Sequence, residues 1–145
     1  MINVCDIQVM KPLLAAHGFH FSKAKGQNFL VAPWVPASIA EQAGVDRSCG
    51  VLEIGPGMGP LTQQLCLRAG KVCAVEVDNR LEPILRETVG EFDNLDILWG
   101  DVLKQDIPAL VAHRRLKPNP FPFGGFAAIG PEDMEAILRL AAQSR

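Results

Sequence analysis

The chain has 145 residues, enough for one domain with a reasonable core, and its 48% hydrophobic and 21% charged residues are ordinary for a globular protein. A net charge of −2 and a pI near 5.9 exclude a nucleic-acid binder that works by bulk positive charge, though not one with a local basic face. No apolar run approaches the roughly 20 residues of a membrane span, and the N-terminal "MINVCDIQVM" carries an acid where a signal peptide would be basic.

In chain order, "IQVMKPLLAAHG" (7–18) spaces its apolar positions like a short helix ended by Gly18. The polar, basic, glycine-punctuated "FHFSKAKGQNFLVAP" predicts a loop. "VPASIAEQAGV" predicts a helix with Pro36 in its first turn and Gly44 near its end. "GVLEIG" is a short buried strand, and "PLTQQLCLRAG" is a helix opened by Pro60 and stopped by Gly70. "KVCAVEVD" is nearly continuous in apolar residues, as a parallel strand covered on both faces would be, with Cys73 buried in it. "NRLEPILRETVGEF" predicts a helix with Pro83 in its first turn or kinking it, and "LDILWGD" a third strand. Strand-helix-strand-helix-strand is the opening of a doubly wound α/β sheet.

Past Asp101 the pattern decays. "VLKQDIPALV" predicts a short helix or turn, followed by the basic "HRRLK". "PNPFPFGGF" predicts a connector, and "GPEDMEAILRLAAQSR" an amphipathic helix with acids in its first turn. This organisation divides the chain into a core at 1–110, a basic and Pro/Gly-rich connector at 111–130, and a terminal helix at 131–145. The four cysteines (Cys5, Cys49, Cys66, Cys73) form no CxxC pair and have no histidine at metal-ligand spacing, so reduced thiols and no metal site are expected.

The chemistry concentrates in "VLEIGPGMGPLT" (51–62). A dinucleotide fingerprint would place a third glycine at position 60, where Pro60 stands, and a P-loop would need a lysine. Proline has no N–H, so this helix start offers one donor fewer to a pyrophosphate. A ligand that needs close backbone approach without anion capture fits better, and S-adenosylmethionine is such a ligand. Glu76 closes the second strand about twenty residues on, where an acid can take both ribose hydroxyls, a rule that NAD would satisfy as well. Asp101 ends the third strand and can accept from an adenine amino group. Glu53, Glu76 and Asp101 are therefore expected on one rim of the sheet, where open α/β sheets bind ligands.

"SKAKGQNFLVAP", "VLEIGPGMGPLT", "AVEVD" and "GDVLK" together resemble the ribosomal RNA adenine N6-dimethyltransferases over roughly residues 8 to 110. The stretch Lys23, Gly26, Gln27, Asn28, Phe29, Leu30 makes the resemblance specific, and the "HGF-FSK" lead-in favours the small-subunit enzymes over the macrolide-resistance enzymes. The resemblance implies an incomplete Rossmann-like sheet of the class I S-adenosylmethionine-dependent methyltransferases. Asn28 and Leu30 would contact the cofactor from the N-terminal loop, with Gly55 in the turn, Glu76 on the ribose and Asp101 at the adenine.

The implied activity is double methylation of the N6 amine of two adjacent adenosines of small-subunit rRNA, with the base flipped out and held in line with the methyl donor. The implied partner is that rRNA or the immature small subunit, in the cytoplasm. Lys23 and Lys25 beside the cofactor loop are candidates for phosphate contact.

The chain departs from the family at Ala32, where an acid is usual, and after Asp101. The family's Asn-apolar-Pro-aromatic motif has as its counterpart only Asn119-Pro120-Phe121. Asn119 and Phe121 are thus the catalytic candidates, against the alternative of a proline-rich connector. Three readings of function stay open: this rRNA methyltransferase, a non-catalytic S-adenosylmethionine- or RNA-binding fragment or degenerate paralogue, and a methyltransferase of a different substrate with Asn119-Pro120-Phe121 as its catalytic loop. A sheet cut after three strands also predicts an apolar edge through which the chain can self-associate.

Overall fold

A computed structural model describes residues 1–19 and 32–106. The sequence-predicted loop around Asn28 and Leu30 lies outside the described residues, as do the connector and the terminal helix. The described chain runs α1 (Ile7–Ala16), α2 (Trp34–Gln42), β1 (Gly50–Ile54), α3 (Pro60–Arg68), β2 (Lys71–Glu76), α4 (Glu82–Val89) and β3 (Leu95–Trp99).

The local chemistry explains most of these boundaries. Asp6 caps α1 by accepting from the Gln8 amide at 2.8 Å. The helix closes through Gly18 at φ 65°, with the Phe19 amide reaching back to the Leu14 carbonyl at 2.9 Å. α2 ends the same way, on Gly44 at φ 67° with the Val45 amide on the Ala40 carbonyl. Pro60 opens α3 at its first position, where a missing N–H costs no hydrogen bond. Pro83 stands in the first turn of α4, and a 3₁₀ turn at Asn79–Leu81, capped by Asp78, precedes it. The expected 14-residue helix is thus a tight turn followed by eight helical residues.

The three strands are parallel in the order β1-β2-β3. Both crossovers step the same way across the sheet, so right-handed connections place α3 and α4 on one face. The register puts Val51, Val72 and Leu95 in a row on that face, with Ile97 and Trp99 further along β3. Two core clusters gather there. One joins Ala40 of α2 and Leu61, Leu65 and Cys66 of α3 to Val51 and Val72. The other joins Met10 and Leu14 of α1 to Ile84, Leu85 and Val89 of α4, with Ile97 and Trp99 packed against it. Cys73 is fully buried in β2, as expected.

β1 is buried throughout, whereas every residue of β3 is half-buried, the signature of an edge strand. A groove of about 260 Å³ runs between α4 and β3, lined by Leu85, Val89, Phe92, Leu95, Ile97 and Trp99. No helix among the described residues is long and apolar enough to cross a membrane.

Candidate functional site

The site is built where β1 stops. Gly55, Gly57 and Gly59 all take positive φ, at 68°, 60° and 95°, a conformation that glycine reaches without steric cost. At Gly59 the requirement is double, because a Cβ there would also stand 2.9 Å from Val89 Cγ1. The turn packs directly on the end of α4, and the ladder holds as far as Gly55, whose amide donates to the Val75 carbonyl at 2.8 Å.

Glu76 ties this turn to the next one. One carboxylate oxygen accepts from the Gly57 amide at 3.1 Å and the other from the Asp78 amide at 3.0 Å, across a sequence gap of 19 residues on the Gly57 side. The side chain is buried, and burial pushes its pKa up while the two amides pull it down. A carboxylate has about four lone-pair sites. Two are used here, which leaves capacity for the pair of ribose hydroxyls that the sequence reading assigned to it.

Asp101 lies past the end of β3, following Gly100, whose amide donates to the Glu76 carbonyl at 2.8 Å. One of its oxygens caps a 3₁₀ turn at Val102–Lys104, accepting from the Leu103 amide at 2.9 Å. Gly55, Glu76 and Asp101 therefore stand at the C-terminal ends of three adjacent strands, as the spacing predicted. Asn28, Leu30, Asn119 and Phe121 lie outside the described residues.

Glu53 departs from expectation. It is not open on the rim: it is 1% exposed and accepts from Thr62 Oγ1 at 2.7 Å. The reason is its register. It pairs with Ala74, on the face that α3 covers, so the helix start closes over it. Burial pushes its pKa up to about 8, opposed by the Thr62 hydrogen bond and reinforced by the charge of Glu76.

Three other features escaped the sequence reading. Asp78 caps the turn after β2 and pairs with Arg80 at 2.6 Å. The Arg80 guanidinium lies 5.3 Å from the centre of the Phe19 ring, which ties the rim to the segment leading into the N-terminal loop. Val77 and Leu103, next to Glu76 and close to Asp101, are 74% and 56% exposed. Apolar residues so exposed beside two acids offer a flat surface to a planar ring. The signal for them was their position one or two residues past each acid.

A parallel core whose glycine turn is clamped by the acid ending the next strand has the fold of the S-adenosylmethionine-dependent methyltransferases. A solved 23S rRNA methyltransferase, ErmE, superposes with a TM-score of 0.58 at 34% identity, covering 78% of this chain and 42% of that one. A dimethyladenosine transferase from Plasmodium falciparum, 24% identical, shares the fold with the same TM-score over 79% of this chain and 38% of that one.

The sequence narrows the class. Residues 18–129 match the family described as ribosomal RNA adenine dimethylase, and the chain belongs to that family. Relatives named ribosomal RNA small subunit methyltransferase A are 50% identical over 101 residues in Macrococcus caseolyticus and 48% over 102 residues in Geobacillus thermodenitrificans. Each alignment covers 70% of this chain but only 34% and 35% of the relative. The chain spans about a third of the length of the curated relatives it matches.

Proposed function

We propose that the described core binds S-adenosylmethionine across its glycine turn, as the cofactor-binding part of an rRNA adenine N6-dimethyltransferase. The supporting observation is the Glu76 clamp. Its carboxylate is held by the Gly57 and Asp78 amides with lone pairs to spare, at the point where a ribose would lie against the turn. When bound, the cofactor supplies an activated methyl group.

The chain's own residues contribute orientation. Gly55 and Gly57 admit close backbone approach, Glu76 takes the ribose hydroxyls, and Asp101 faces the adenine amine. The exposed Val77 and Leu103 lie against the ring. In the same proposal Asn28 and Leu30 complete the cofactor site from the N-terminal loop, and Asn119 and Phe121 are the candidates for the target adenine. Residues 1–110 form the cofactor-binding unit, 111–130 a connector and 131–145 a terminal helix. The substrate is small-subunit rRNA or the immature small subunit, which sets the work in the cytoplasm, and the β3 edge is a surface for self-association.

The departure from the family motif at Asn119-Pro120-Phe121 favours a second reading, a non-catalytic S-adenosylmethionine- or RNA-binding module. Two measurements decide. Titration calorimetry with S-adenosylmethionine and with NAD is expected to give heat for the first alone; preferential NAD binding sinks the cofactor reading. Methyl transfer to immature small subunits then separates enzyme from module, since cofactor binding without transfer selects the module.

A further inference from the structure

Arg80 takes no ligand in the site as built so far, yet it touches two segments on which that site depends. Its Nε and Nη2 atoms donate to the two carboxylate oxygens of Asp78 at 2.8 and 2.6 Å, a paired grip that gives the guanidinium one orientation. The guanidinium carbon stands 5.3 Å from the centre of the Phe19 ring. Phe19 is itself a fixed point. Its side chain is buried in the cluster that holds Met10, Leu14, Leu81 and Ile84, and its amide donates to the Leu14 carbonyl at 2.9 Å. Asp78 in turn gives its amide to one oxygen of Glu76 at 3.0 Å, while the other oxygen accepts from the Gly57 amide at 3.1 Å. A continuous line of contacts thus runs from Phe19, just past α1, through Arg80, Asp78 and Glu76 to the glycine turn.

The turn after β2 needs such a hold at its near end. Leu81 fixes the far end in the core, but Val77, between the two acids, is 74% exposed and buries little that would keep the Asp78 amide on Glu76. The Asp78–Arg80 pair cannot do this alone, because both partners belong to the same turn and move with it. The Phe19 ring ties that pair to another segment. Resting on the reading that Glu76 takes the ribose hydroxyls, we propose that Arg80 is the positioning residue for that acid. Seated on Phe19 and gripping Asp78, it keeps the Asp78 amide on Glu76 and so fixes the carboxylate for the ligand. An exposed ion pair adds little to folding, so substitution of Arg80 should separate binding from stability.

Titration calorimetry of the full chain with S-adenosylmethionine tests this, with urea unfolding alongside. Arg80→Gln should weaken binding about fivefold while the urea midpoint moves little. Arg80→Lys, which keeps a cation over the ring and beside Asp78, should recover most of the affinity. Phe19→Leu, which leaves an apolar side chain in the cluster but removes the ring face, should weaken binding by a similar factor, and adding Arg80→Gln to it should cost nothing more. In the Glu76→Ala background Arg80→Gln should have no further effect, since the acid it positions is gone. Unchanged affinity in Arg80→Gln overturns the proposal, as does a loss that persists undiminished in Glu76→Ala or one matched by a fall in the urea midpoint. Additive losses for Phe19→Leu and Arg80→Gln overturn it too, and so does an Arg80→Lys chain that binds as weakly as Arg80→Gln. No binding heat in the unsubstituted chain removes the cofactor reading itself, and this inference with it.

Discussion

Glu76 joins two duties in one side chain: it fastens the glycine turn to the turn after β2, and it is the acid proposed for the ribose. Glu76→Ala should therefore weaken S-adenosylmethionine binding by ~1–3 kcal/mol, the cost of leaving buried hydroxyls unpaired. Calorimetry on the variant checks this, and unchanged affinity would mean that the ribose sits elsewhere. The positions of Gly55, Glu76 and Asp101 at the strand ends were legible in the sequence because they depend on spacing along the chain. The Glu53–Thr62 bond was not legible. It depends on which face of α3 turns inward after Pro60, a three-dimensional fact that the eight intervening residues do not encode. The Arg80–Phe19 contact was hidden for the same reason, joining segments far apart in the chain.

At the scale of elements, the strands and helices followed from continuous apolar runs and from Pro and Gly at the expected ends, while the ties between elements did not. The last turn of α3 is an example. Its exposed carbonyls are taken up by side chains from two other segments. Asn94 Nδ2 donates to Cys66 and Ala69 at 2.9 and 3.1 Å, and Arg47 donates to Ala69 and Leu67 at 2.9 and 3.1 Å. Asn94 stands just before β3 and holds the edge strand's entry to the helix that precedes β2. Asn94→Ala leaves those carbonyls half-served and is expected to lower stability by ~1–3 kcal/mol. Urea unfolding would show this as a lower midpoint with an unchanged slope.

At the scale of the molecule, two buried acids lie on the helix-covered face among the described residues, with a second apolar face behind it. The acids set the pH response. A carboxyl whose pKa rises on folding binds more protons folded than unfolded, so its contribution to stability is lost as pH rises. For Glu53 the window runs from its ordinary 4.5 to about 8, and Glu76 shifts in the same direction. The ligand-free chain should melt at progressively lower temperature across that window, and Glu53→Gln should flatten the decline; an identical pH profile in the variant would show that Glu53 titrates normally.

The second face sets what the fold needs in order to stand. Leu52, Ile54, Cys73 and Val75 point away from the two core clusters, yet each is at most 4% exposed. Helices α3 and α4 are committed to the other side by right-handed crossovers, and α1 and α2 pack with them. Among the described residues no helix lies on that face, and a parallel sheet bare on one face is not a stable arrangement. Cys73 is a built-in probe of that face. Thiol labelling followed by peptide mass mapping should find Cys73 protected in the full chain and reactive, or the protein self-associated, once residues 107–145 are removed. Equal protection of Cys73 in a monomeric shortened chain would show that residues 1–106 shield the face themselves.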